Sequence, residues 1–206
     1  MHSILMDETL PTIDSRLAAR LRALRSDQGL TLDGLAERSG VSRSMISLIE
    51  RGESSPTASV LDRLAAGLGV TLASLFADAE RADAKPVVRR DDQVTWQDPA
   101  TRYRRRNLSP PGFPSPIELV EVDLPPDARV TYDSAARAAV IDQQVYVLEG
   151  TIDLTVGDET HRLSAGDCLA MRLDRPVGYH NPTSLPARYI VALTTESARK
   201  PNAVKR

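Results

Sequence analysis

The 206-residue chain contains a single cysteine, Cys168, so an intramolecular disulfide is excluded and a cysteine-based zinc site is not expected. Long apolar runs are also missing: none approaches the ~18 residues of a membrane-spanning helix. The first residues lack the basic head and apolar stretch of a secretory signal. A cytoplasmic protein without a membrane partner is the resulting expectation. There is no excess of one charge either. The formal net charge is −2, with eight basic and eight acidic groups in residues 12–78 and eighteen of each in 79–206. That balance excludes a strongly basic, non-specific nucleic-acid binder, so any DNA contact must come from local geometry. The rest is ordinary for a globular protein, at 41% hydrophobic and 26% charged residues. The length suits one large domain or two small ones.

The apolar period changes along the chain. From Ser15 to Phe76 it is helical: Leu17, Leu21 and Leu24 share one helix face, and Gly29 stops that run. Thr31 caps a second helix that ends at Gly40. Ser42 caps a third that stops at Gly52. Pro56 and Thr57 open a fourth, stopped by Gly69, and a short fifth piece surrounds Leu72, Leu75 and Phe76. Residues 79–100 are charged and poor in large apolar groups, as a linker would be. Beyond them the period is two. Ile152, Leu154 and Val156 alternate with polar residues before a Gly157-Asp158 turn, and further strands are expected at 117–124, 145–149, 168–172 and 188–194. Many short strands with regular turns indicate a sandwich or small barrel.

Segment 31–52, TLDGLAERSGVSRSMISLIERG, meets the steric demands of a helix-turn-helix. Ala36 is small where two helices cross. Gly40 supplies a left-handed turn without a Cβ clash. Val41, Ile46 and Ile49 fall on the packing side of the next helix. The spacing resembles the XRE (Cro/CI-like) family of repressors, and the likeness continues through RGESSPTASVLDRLAAGLGVTLASLF. The resemblance implies that residues 42–50 enter the DNA major groove. Ser42, Arg43, Ser44, Ser47 and Leu48 would then face outward. Arg43 is the best base reader, because a guanidinium can donate twice to guanine. Leu48 would meet a thymine methyl or pack partly on the bundle. Thr31 and Arg51, with the residues up to Ser54, would lie near phosphates. In the family an acidic residue at the Glu50 position pairs with an arginine at the Arg25 position; the alternative is a solvated pair of little energy. Gly34 and Leu32 depart from the pattern, one costing about 1 kcal/mol of helix stability and the other removing a polar phosphate contact.

Residues 101–195 resemble a cupin. QVYVLEGTIDLTVGDETHRLSAGD and CLAMRLDRPVGYHNPTSLPARY match its two motifs, with Asn181-Pro182 as a landmark. Metal-dependent cupins use histidines and a glutamate. Here Gln143 occupies the glutamate position, the upstream histidine positions fall within 137–139, and Val177 takes the last, with His180 out of frame. No metal ligand, cofactor or catalytic residue is therefore assigned. Gln143, Gln144, Tyr146, Arg172, Tyr179 and His180 are the candidates for binding a small effector; alternation would turn about half such residues outward. Strand alternation puts Arg104 and Arg106 on one face and Arg105 on the other, either as a solvated edge or as contacts to phosphate or an anionic ligand. His161 is expected on the surface, Cys168 and Met171 in barrel packing, and Trp96 as the anchor of the linker.

The expected architecture is an all-α five-helix XRE-type helix-turn-helix bundle (15–78) followed by an all-β cupin (double-stranded β-helix) barrel (101–195). Tails at 1–14 and 196–206 and a linker at 79–100 complete it. The expected function is sequence-specific transcriptional regulation, as a repressor. A homodimer would read a palindromic operator in double-stranded DNA, since one neutral unit offers few phosphate contacts, and the barrel would dimerise and sense an effector. The rivals are a metal-dependent cupin enzyme with a regulatory head and an effector-free regulator whose barrel only dimerises.

Overall fold

The computed structural model describes residues 12–76, 84–133 and 141–194. Helices α1 (Ile13–Asp27), α2 (Leu32–Ser39), α3 (Arg43–Glu50) and α4 (Ala58–Gly67) form the N-terminal unit. Each begins on a hydroxyl cap. Thr12, Thr31, Ser42 and Thr57 accept the backbone N–H three residues on, satisfying one of the donors a helix start leaves open. Gly40 ends α2 at φ 65°, with open space around the missing Cβ, so backbone conformation is what requires glycine there. Leu17, Leu21, Leu35, Ile46, Ile49, Leu61 and Leu64 fill the interior. Ala36 is partly buried against the core. A close approach between α2 and α4 lies at Gly67, where a Cβ would stand 2.9 Å from the Ser39 Cβ and 3.1 Å from its backbone nitrogen.

The expected fifth helix is replaced by a single 3₁₀ turn, Ala73–Leu75. The Thr71 hydroxyl accepts the Ser74 N–H, so the turn is closed by a side chain, and three residues are too few to repay helix nucleation.

Among the described residues the second unit has ten antiparallel strands in two sheets. The larger orders β1 (Thr95–Gln97), β2 (Arg104–Asn107), β3 (Ile117–Leu124), β10 (Ala187–Thr194), β5 (Asp142–Glu149) and β8 (Cys168–Arg172). The smaller orders β4 (Arg129–Tyr132), β9 (Val177–His180), β6 (Thr151–Val156) and β7 (Glu159–Ser164). Period-two burial turns Val120, Val122, Val145, Val147, Tyr189 and Val191 of the larger sheet toward Ile152, Leu154 and Tyr179 of the smaller. Tyr179 and Tyr189 stack across the gap with centroids 5.5 Å apart. The sheets thus form a two-layer core. Gly150, at φ 77°, joins β5 to β6 where a Cβ would meet the Pro186 carbonyl at 2.9 Å.

The expected linker is partly structured. Residues 95–97 form β1, and Trp96 packs between Phe76 of the helical unit and Tyr103, at centroid distances of 5.5 and 6.3 Å. Trp96 therefore anchors the segment to both units. Cys168 is exposed rather than packed: in β8 it shares the outward parity of Ala170 and Arg172, while Met171 on the other parity packs against the core.

Candidate functional site

In α3, Ile46 and Ile49 are buried, and Ser42, Arg43 and Ser44 project from the capped N-terminus into solvent. Ser47 and Leu48 are half-buried, so Leu48 packs partly and keeps an exposed edge. Met45 is 37% exposed beside them and was not singled out from the sequence. Like Leu48, it is an apolar position of the helix outside the core, which is the signal that could have found it. Thr31 is exposed at the start of α2, its hydroxyl held by the cap. The two arginines on this face carry carboxylate partners. Arg43 Nε lies 3.3 Å from Asp33, and Arg51 grips Glu53 through two bonds of 2.7 and 2.8 Å while also donating to Ser47. These pairs are exposed and weak, so a phosphate or base can displace the carboxylates.

Behind this face α3 is locked to α1. Arg25 donates from Nε and Nη2 to the two Glu50 oxygens at 2.6 and 2.8 Å, and from Nη1 to the Leu30 carbonyl at 2.7 Å. The pair is nearly buried, and the Glu50 hydrogen bonds hold the Arg25 pKa above its usual value.

A second site is a cavity of about 60 Å³ between the sheets, at the end that faces the helices. Gln143 and Tyr179 line it and bind each other, Gln143 Nε2 donating to Tyr179 Oη at 2.6 Å. The other four effector candidates lie off it. Gln144, Tyr146 and Arg172 sit on the opposite strand parity and are exposed, Arg172 pairing with Asp142 at 3.2 Å. His180 points outward toward Asp127 and Asp153. His161 is half-buried on the outer hairpin β6–β7, 3.7 Å from Glu159. Among residues 104–106, Arg104 and Arg106 bind Asp123 and Glu121 at 2.6 Å on the outer face, and Arg105 turns into the cavity. Burial raises the pKa values of Tyr132, Tyr179 and Tyr189, keeping their hydroxyls neutral.

The residues in the metal positions do not suit a divalent ion. Gln143 is a neutral amide already bound to a phenol, and Val177, which also lines the cavity, offers no donor atom. The two upstream positions, within 137–139, lie outside the described residues. No group of three His, Cys, Asp or Glu able to hold a metal occurs among the described residues.

The helical unit supplies part of the wall of this cavity. Asp62 of α4, Thr71 and Leu72 line it, residues that sequence reasoning did not connect to the barrel. Thr71 and Ser74 donate to the two oxygens of Glu118 at 2.9 and 3.4 Å, tying the units together. Burial raises the Glu118 pKa against the opposing pull of these bonds and of Arg105. The folded state therefore binds this proton more tightly than the unfolded chain. Stability should fall as pH rises from the ordinary carboxylate value through the raised one, and level off above it. Glu118→Gln removes that titration. Thermal unfolding of both proteins across pH 4 to 7 should give a wild-type-minus-variant difference that declines with pH (~ values bracketing the carboxylate range). A flat difference would show that Glu118 titrates normally.

Residues 16–77 match the helix-turn-helix domain family and residues 122–193 the cupin domain family. The HTH-type transcriptional regulator PuuR of Escherichia coli (strain K12) is 28% identical over 178 residues, covering 85% of this chain and 92% of PuuR. The HTH-type transcriptional regulator SutR of the same organism is 28% identical over 165 residues, covering 80% and 86%. A crystal structure of an HTH_3 family transcriptional regulator from Vibrio cholerae superposes with a TM-score of 0.70 at 26% identity, covering 89% of this chain and 97% of that one.

Proposed function

The chain belongs to the XRE-type helix-turn-helix regulators with a C-terminal cupin domain, and from that premise we propose that it is a cytoplasmic, homodimeric repressor whose cupin domain senses a small molecule. The observation that carries the reading is the state of α3. Its N-terminal residues Ser42, Arg43 and Ser44 are solvent-exposed while its other face is fixed by Ile46, Ile49 and the Arg25–Glu50 pair. A helix held from behind and open in front is what major-groove entry requires. Arg43 reads a guanine, Ser42, Ser44, Ser47 and Leu48 frame it, and Thr31 and Arg51 meet phosphates.

Dimerisation is supported by the outer face of the larger sheet. Ile117, Leu119 and Tyr146 are 52%, 39% and 44% exposed there, with Ala192 paired to Leu119 and Ile190 to Tyr146. A neutral reading unit binds DNA weakly alone, and a two-fold pair doubles its contacts. Sensing is supported by the cavity that residues of both domains line: a ligand that binds it better in one arrangement of the helical domains shifts the population of that arrangement.

Arg43→Ala tests the reading. Selecting bound sequences from a random DNA pool, then measuring binding to the selected operator and to random DNA, should show a loss of about 1–3 kcal/mol of discrimination at one base pair per half-site. Binding to random DNA should change little. Equal losses on both would remove Arg43 as a base reader.

A further inference from the structure

We infer that the cavity beneath the helical domain binds a small monocarboxylate through the guanidinium of Arg105; this rests on the sensing reading above and names the class of its ligand. Three consecutive arginines in β2 share a backbone and differ in their partners. Arg104 and Arg106 each hold a carboxylate at 2.6 Å on the outer face, the first pair exposed and the second largely buried. Arg105 is only 4% exposed and lines the cavity, and its buried Nε has no hydrogen-bond partner. A guanidinium cannot shed its charge at any accessible pH, so burial with an unused donor leaves a standing demand for an anion. The planar fork suits a carboxylate, which accepts two parallel bonds.

The surroundings narrow the choice. Tyr103 and Tyr132 line the same space, and burial keeps the Tyr132 hydroxyl neutral beside the anion. Val120 and Leu193 provide apolar wall for a short alkyl group. The volume, about 60 Å³, is far below that of pockets for drug-sized ligands. Among the described lining residues Arg105 is the one cation, which matches a single negative charge on the ligand. A ligand of few heavy atoms with one negative charge fits these limits.

Occupancy would be felt at the domain seam. The Arg105 guanidinium carbon lies 5.2 Å from the centroid of Phe76, and Phe76 packs on Trp96, the only tryptophan of the chain. Trp96 fluorescence is therefore a built-in reporter. The full-length protein is titrated with sodium acetate and sodium propionate, with sodium chloride and methylammonium chloride at matched ionic strength as controls. The expected result is a saturable fluorescence change with the carboxylates and none with the controls. In Arg105→Gln, folded by far-UV circular dichroism, the apparent Kd should rise about tenfold or more. If that variant does not fold, intermolecular NOEs between carbon-13-labelled acetate and tyrosine ring protons in the wild type support the site when present and overturn it when absent. No saturable response to either carboxylate, or a response that survives in Arg105→Gln, overturns the assignment. Saturation by methylammonium alone would overturn the carboxylate and leave sensing intact. A broad small-molecule screen that moves neither Trp96 fluorescence nor thermal stability would instead overturn the sensing reading.

Discussion

Glu50→Ala should destabilise the helical domain by about 3 kcal/mol, because it strands the Arg25 guanidinium with only the Leu30 carbonyl for a partner. The Glu50 side chain is 7% exposed and that of Arg25 15%, so water can replace the lost carboxylate only at one edge. The double variant Arg25→Met, Glu50→Leu removes both charges and keeps the volume. It should recover most of the loss, since a buried ion pair and a well-packed apolar pair are often close in energy. Denaturant unfolding followed by the helical far-UV signal measures both. A loss below ~1 kcal/mol for Glu50→Ala would mean that the pair behaves as a solvated surface pair. The recovered double variant then asks a sharper question. If the pair also sets the angle at which α3 leaves α1, the variant should be as stable as wild type yet bind its operator less tightly.

The pair was legible through the likeness to the XRE family, which sets an acidic residue at Glu50 against an arginine at Arg25; local order supplied the frame that aligns them. Glu50 lies on a helix whose expected cap, Ser42, is the observed one, whereas the helix of Arg25 starts at Ile13 on a Thr12 cap, inside the expected 1–14 tail. Helix starts and turn glycines follow from short-range chemistry, and so does the motif frame. Alternation alone set Arg105 on the face opposite Arg104 and Arg106, but not which of the two faces is inward. Alternation gave less elsewhere. Gln143 and Tyr179 share the inward parity and Gln144 and Tyr146 the outward one, but the β10–β5 register shifts at Arg188/Tyr189, and such shifts cannot be placed from one sequence. The short strands β1, β4 and β9 are held by pairing to distant strands rather than by their own composition. The part that Asp62 and Thr71 take in the cavity wall was not legible at all. It depends on how α4 meets β4, a contact between segments with no sequence pattern in common. The Ser39–Gly67 crossing was missed for the same reason.

Asn181→Leu should cost the cupin domain roughly 3 kcal/mol, and Asn181→Asp more at neutral pH. Asn181 is fully buried directly after β9. Its Nδ2 donates to the Leu124 carbonyl at 3.1 Å and to the Leu185 carbonyl at 2.8 Å, and its Oδ1 accepts from the Thr183 N–H and hydroxyl at 3.0 and 2.8 Å. One amide thus joins the end of β3, in the larger sheet, to the loop leaving β9 in the smaller. Leucine matches the size and satisfies none of the four bonds, so buried donors and acceptors lose their partners together. Aspartate keeps the acceptor side but turns a second oxygen toward two carbonyls. The introduced carboxyl should take up a proton well above its usual pKa, since only the protonated form can donate to one of those carbonyls. Its folded-state pKa is raised, so the stability of Asn181→Asp should recover relative to Asn181→Leu as pH falls through that raised value. Urea unfolding of the three proteins at neutral and mildly acidic pH, followed by Trp96 fluorescence, tests this. If Asn181→Asp equals wild type at neutral pH, the two carbonyls are not the amide's partners, and the tie between the sheets must lie elsewhere.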